Sequence, residues 1–336
     1  MNTQPNPPKR VEELWFEDGN IVLQAGDSHY RVYRGVLAAR SPVFRDMLAF
    51  PQPADSELVD GCPLVRLPDC DIEVTFFLKA IFDPEFLRPF PSRTTFDILA
   101  GCLRLSHKYE VAGLRRLCLV HLSSGYDTEL SRFDVATYYF DDKLPAWRIT
   151  SWPWPSDSGD EIYIIQLFRE VEATWLLPNA FYNLSYSAKE LGRDIFHGTS
   201  FNDIPCNLSV EDQNSFVEGQ AIQSHSAITD TLQFLADPLD IQGCKSPTEC
   251  ALERFKAIGE VRESVSDVSS DPLDVWRSDD WDLLADVCDV CLSVLKETHQ
   301  AARQAFWDKL PGLYGLPPWD ELEKMKVAAI GNSWLC

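Results

Sequence analysis

A chain of 336 residues with 45% apolar side chains is long enough to bury more than one hydrophobic core. Its net charge of −22 is unevenly spread: residues 1–125 carry 14 Lys/Arg against 16 Asp/Glu, and the remainder carries 16 against 36. Phosphate backbones are held by clustered Lys and Arg, so nucleic acid is excluded as an expected partner, and the uncharged stretches fall short of the roughly 20 apolar residues that cross a bilayer.

The opening residues, with Pro5, Pro7 and Pro8 ahead of Lys9 and Arg10, have no apolar run of the kind a secretory signal needs. Residues 1–13 are expected to be a disordered leader, and the chain to be intracellular, in cytoplasm or nucleus. In that setting the ten cysteines are expected as buried thiols or metal ligands in preference to disulfides.

From Asn20 to Val32 two short apolar runs flank Gly26-Asp27-Ser28, which predicts a β-hairpin. Helical spacing starts at once with Val36, Leu37 and Ala39, and Ser41-Pro42 supplies a cap and a first-turn proline for a second short helix presenting Val43, Phe44, Met47 and Leu48. Leu64–Leu67 is a strand closed by Pro68. Asp71–Phe82 is a helix whose acidic first turn suits the helix dipole; Thr94–Tyr109 is another. A turn at Glu110–Gly113 leads into a third, which sets Leu114, Leu117, Cys118 and His121 on one face.

That order of elements, and four stretches within it, resemble the BTB/POZ family, and more closely its fungal members. The stretches are Phe16 to Leu23, Tyr30 to Phe44 with its Val36-Leu37 and Ser41-Pro42-Val43-Phe44, Leu64 to Asp69, and Leu105 to Val111. The resemblance covers about 110 residues and implies an α+β fold, a small sheet with helical hairpins, over residues 14–125. It also implies a non-enzymatic role in protein–protein interaction, as a scaffold or oligomerisation module whose partner is another protein or a second copy of the chain. Met47, Leu48, Phe50 and Phe82 are the candidate contacts, with completion of the internal core as the alternative for each.

Three departures from the family bear on function. Asn20 and Tyr33 stand where many animal members have Asp and His, so the charged pocket of some transcriptional members is not reproduced. Cullin-binding members carry a hydrophobic-x-Glu element after the second helix, whereas this chain has Phe50-Pro51-Gln52, which leaves a cullin ubiquitin-ligase adaptor as the alternative role. The prolines of the leader do not suit the swapped N-terminal helix of animal dimers, so self-association is expected to be weak.

Beyond residue 125, the stretch 126–160 is expected as a linker, rich in Pro and Trp from Asp141 to Asp160, with Trp147, Trp152 and Trp154 as a docking peptide or as packing. Residues 161–336 are expected to form a mainly α-helical C-terminal domain, with helices at Glu161–Leu177, Cys250–Val265 and Asp280–Lys309 and a short terminal helix after breaks at Pro311, Gly312 and Gly315. The likeness to fungal members extends weakly into this half.

No phosphate-binding loop, dinucleotide fingerprint, zinc-protease helix or nucleophile elbow is present, and the six histidines are scattered. No catalytic residue and no obligatory cofactor is expected. Asp279, Asp280 and Asp282 read as helix-capping acids before a cation site. Cys244, Cys250, Cys288 and Cys291 are the one constellation with metal-ligand character: Cys288-x2-Cys291 has the spacing favoured for zinc, and Cys244-x5-Cys250 is longer than usual. Against a structural zinc, Leu284, Val287, Cys288, Cys291, Leu292 and Leu295 fall on one helical stripe, which would make the cysteines core residues. His299, two turns further on, is a substitute ligand.

Overall fold

The computed structural model describes residues 9–50, 57–138, 151–153, 160–238, 240–268 and 271–332. They pack as two compact units. The first draws on the chain through Tyr126, on Phe133–Pro155 and on the end from Val327; the second on Asp127–Arg132 and Ser156–Lys326.

In the first unit, β1 (Lys9–Trp15), β2 (Ile21–Ala25), β3 (Ser28–Val32), β4 (Leu58–Val59) and β5 (Cys62–Leu67) form a sheet in the order β1-β3-β2-β5-β4. β2 and β3 are the hairpin expected from the sequence, closed by the two residues Gly26 and Asp27, with Gly26 at φ +50° where a side chain would be strained. β1 corrects the expected leader. Residues 9–13 are strand, paired parallel to β3, and Leu14 is buried. Charged residues fill the exposed positions of this edge strand, and residues 1–8 of the expected leader lie outside the described residues.

Helices α1 (Arg34–Arg40), α2 (Pro42–Ala49), α3 (Asp71–Phe82), α4 (Phe96–Lys108) and α5 (Ala112–Ser123) follow. Ser41 does two jobs at the α1–α2 junction. Its Oγ accepts the Phe44 N–H at 2.9 Å and donates to the Tyr109 carbonyl at 2.5 Å, tying the start of α2 to the end of α4. Phe44 is thereby set on Tyr109, ring centroids 4.5 Å apart, with Phe77 of α3 beside both. From the sheet, Tyr30 reaches α3 and donates to the Asp71 carbonyl at 2.8 Å. Where α3 crosses α4, a Cβ on Gly101 would stand 3.2 Å from the Glu73 backbone, so the glycine sets the approach of the two helices.

Part of the stretch expected as a linker is packed structure. Trp147 and Trp154 lie outside the described residues, but Trp152 is buried in the first unit, stacked on Tyr126 and tilted against Phe96. Its indole N–H donates to the His121 carbonyl at 2.9 Å. The His121 ring lies between Ser151 Oγ (2.6 Å from Nδ1) and the Arg88 carbonyl (2.9 Å from Nε2); burial holds its pKa below the usual histidine value.

The second unit takes α6 (Leu130–Tyr138) in part, then α7 (Asp160–Glu170), α8 (Leu177–Leu191), α9 (Asp194–His197), the small hairpin β6 (Thr199–Phe201) and β7 (Ile204–Cys206), α10 (Val210–Thr229), α11 (Pro247–Val268), α12 (Asp289–Leu313) and α13 (Trp319–Ile330). A mainly helical C-terminal half is as expected, although α10 and the β6–β7 hairpin were not, and the expected elements differ in detail. The helix expected over Glu161–Leu177 breaks where Glu172 adopts φ +58°, and Pro178 opens α8 instead of ending its predecessor. Pro311 sits within the last turn of α12, which runs on to Leu313. The Asp280 start is displaced: Asp279–Leu284 is a separate 3-10 turn, in which Asp280 accepts the Arg277 N–H at 2.6 Å. The end of the chain from Val327 belongs to the first unit, where Gly331 approaches Arg116.

Asp127 gives the second unit a pH dependence. It is buried, and loss of water pushes its carboxyl up to about 7 although Lys326 pulls it down. The folded state therefore holds this proton more tightly than the unfolded one, and the contribution to stability present below about pH 4 is lost as pH rises to 7. Asp127→Asn is expected to gain stability relative to the unmodified chain between pH 4 and 7, by up to roughly 4 kcal/mol. Urea unfolding at pH 5 and pH 8 checks it; a difference that shrinks with rising pH would refute it.

Candidate metal centre and interaction surface

Cys244 follows a tight turn in which its N–H bonds the Ile241 carbonyl at 3.1 Å and Gly243 takes φ +84°. Cys250 lies in the first turn of α11, its N–H on the Ser246 carbonyl. Cys288 is the residue before α12 and Cys291 lies in that helix's first turn. Leu284 ends a 3-10 turn and Cys288 stands with extended backbone at the N-cap position of α12, so the expected stripe is split between two elements, yet Leu284, Val287, Cys288, Cys291, Leu292 and Leu295 all pack in or against one apolar cluster.

All four sulfurs lie within 4.8 Å of one another, the largest such group of metal-ligating side chains among the described residues. Cys244 and Cys288 Sγ are 3.9 Å apart, and the Cys288 N–H donates to Cys250 Sγ at 3.4 Å. Cys250 and Cys291 are buried; Cys244 and Cys288 are half-buried. All are free thiols against an apolar cluster that includes Leu235, Val261, Leu284 and Leu295. Two first turns direct their N-terminal ends at this group, an arrangement that favours thiolate. Cys288 is accordingly pushed down to about 6, chiefly by the Lys245 N–H and then by that of Cys291, whereas burial raises Cys250 and Cys291.

One neighbour had no signal in the sequence pattern. Arg254, one turn after Cys250 on α11, is buried and donates to the carbonyls of Leu235 (2.9 Å), Pro238 (2.8 Å) and Phe234 (3.4 Å). Burial lowers its pKa, and Cys291, Asp237 and Cys250 act against that shift. An Arg four residues after a Cys becomes informative only once the helix and its buried face are known. His299 is not in the thiol group. Its ring packs against Phe234 and Trp281, with centroids 4.9 and 5.6 Å away, and burial holds its pKa down to about 3, so it stands apart from the cluster it was expected to be able to complete.

The candidate contacts of the first unit separate by burial. Leu48 is 3% exposed and belongs to the core, which removes it from the surface reading. Phe82 is half-buried under Phe16 and Tyr33, at 5.5 and 6.3 Å. Met47 is half-buried, and Phe50, the residue after α2, is 72% exposed. Pro51 and Gln52, which complete the stretch compared with cullin-binding members, lie outside the described residues.

The five-stranded sheet and α1 to α5 span Lys9 to Ser123, and the sequence model of the BTB/POZ domain matches residues 16–125. These residues are a BTB/POZ domain. The match starts within the expected limits and leaves β1 outside it, although β1 is part of the sheet. A BTB/POZ domain is in general a protein–protein interaction module and is not typically catalytic. No curated protein and no solved structure matches the chain. Among the described residues no helix is long and apolar enough to cross a membrane.

Proposed function

We propose that this chain is a non-enzymatic protein-interaction protein whose BTB/POZ domain engages another protein or a second copy of itself through the α1–α2 hairpin. The observation that carries this reading is Phe50. It is a large apolar side chain left in solvent directly after α2, and half-buried Met47 and Val43 and exposed Val36 continue the apolar surface back along the hairpin. Aromatic and Met side chains are the residue types that anchor interfaces. The surplus of acidic residues beyond residue 125 disfavours a phosphate backbone as partner, and the free thiols suit an intracellular setting.

Self-association through this surface is expected to be weak, with dimers only at micromolar concentrations or above. Light scattering of the full chain over a dilution series measures it. In Met47→Asp/Phe50→Asp, association should weaken by at least about tenfold, equivalent to 1.4 kcal/mol, with the far-ultraviolet circular dichroism unchanged. If the folded double variant keeps both its self-association and every partner recovered with the unmodified chain, the hairpin is not the contact surface.

A further inference from the structure

We infer that Cys244, Cys250, Cys288 and Cys291 hold one structural zinc ion that fastens the starts of α11 and α12 together. The inference is independent of the BTB/POZ domain, since all four residues belong to the second unit. Four sulfurs at about 2.3 Å from a central ion stand about 3.8 Å from one another. The observed group, with one separation of 3.9 Å and none above 4.8 Å, is within small side-chain adjustments of that tetrahedron. Iron–sulfur clusters place their ligating thiolates around a cage of iron and sulfide and need a wider spread, so a single ion fits and a cluster does not. All four cysteines pack in or against one apolar cluster, but packing does not by itself bring four sulfurs, from segments 38 residues apart at their nearest hydrogen-bonded pair, within 4.8 Å of one another.

The surroundings fit the charge that such a site carries. Each zinc–sulfur bond forms as a thiol proton leaves to solvent, so up to four protons are released, no electron moves, and the ion with four thiolates carries −2. Burying that charge needs fixed positive partners. Here they are the Arg254 guanidinium, the first turns of α11 and α12, and the Cys288 N–H aimed at Cys250 Sγ. Four protein ligands leave no open position for water, so the role is structural.

The test uses the full chain, produced in zinc-supplemented medium without a metal-affinity tag and purified without chelator. Elemental analysis is expected to find about one zinc per chain, and cobalt(II) exchanged into the site should show the visible bands and intense sulfur charge-transfer absorption of a tetrahedral four-thiolate ion. Titration with an organomercurial should release the zinc as about four thiols react. Cys288→Ser and Cys250→Ser should each fall below about a fifth of an equivalent, while Cys70→Ser, in the other unit, should retain a full one. Should the serine variants fail to fold, the cobalt spectrum and the mercurial titration of the unmodified chain still decide. Zinc below about a tenth of an equivalent, iron in its place, a Cys244–Cys288 disulfide in freshly isolated protein, or undiminished zinc in both serine variants would each overturn the inference.

Discussion

Phe44→Ala is expected to destabilise the BTB/POZ domain by about 3–5 kcal/mol. The side chain is wholly buried and lies between Tyr109 of the α4 end and Phe77 of α3, so its loss opens a cavity bordered by two rings that are themselves fixed. Tyr109 is held by burial and by its hydroxyl on Asp69, and Ser41 keeps the backbone of α2 in place through the Tyr109 carbonyl. The cavity therefore cannot close by a small local shift, which puts the cost at the upper end for such truncations. Hydrogen exchange of α2 amides in the full chain, followed across a urea series, gives the local stability. Phe50→Ala is the comparison: its side chain is in solvent, and the change should stay within about 0.5 kcal/mol. A loss below about 1.5 kcal/mol for Phe44→Ala would show that the three rings are not a stabilising cluster.

Two glycines, one in α10 and one in α11, should respond to the same substitution with opposite signs. A Cβ at Gly219 of α10 would stand 2.5 Å from Cδ1 and Cε1 of Tyr314 and 2.8 Å from the Leu313 carbonyl oxygen. Tyr314 has no room to retreat. It stacks at 4.9 Å on Phe181, and its hydroxyl donates at 2.6 Å to Gln223, one turn along α10 from the glycine. Gly219→Ala should thus cost about 1–3 kcal/mol in spite of the better helix propensity of alanine. Gly259 of α11 has nothing within 4 Å of its would-be Cβ, so Gly259→Ala should stabilise by roughly 0.5–1 kcal/mol. Chemical denaturation of the two variants checks the pair. A gain in stability for Gly219→Ala would mean that α10 can move away from the end of α12.

Local chemistry explains which parts of this molecule could be read in advance. Gly26-Asp27 closes its hairpin and Ser41-Pro42 starts its helix because both signals act within four residues and leave the backbone few alternatives. The cysteine group was visible as residue types at suggestive spacing. What brought the two pairs together, the extended backbone of Cys288 ahead of α12, depends on packing around Leu284 and Trp276 and has no short-range marker. The 20-residue helix α10 went unread because its buried positions include Asp212, Gly219, Gln223 and Ser226. Polar residues satisfied by specific partners, such as Asp212 by Arg169, erase the apolar periodicity that identifies a helix. β1 was hidden in the same way, by charges on the solvent side of an edge. Proline misled in both directions, as the first-turn residue Pro178 and the last-turn residue Pro311, since it marks a helix boundary without saying which end.

The stretch at Ser151-Trp152 separates two kinds of boundary that usually coincide. By family likeness the domain stops at residue 125, yet a polypeptide truncated there would lose the stacked Tyr126 and Trp152, bare Phe96 and take from His121 its serine partner. A buried tryptophan covers roughly 200 Å², and losing that cover costs on the order of a few kcal/mol. The inherited module is thus shorter than the folding unit in this protein: after leaving the domain, the chain returns to finish it.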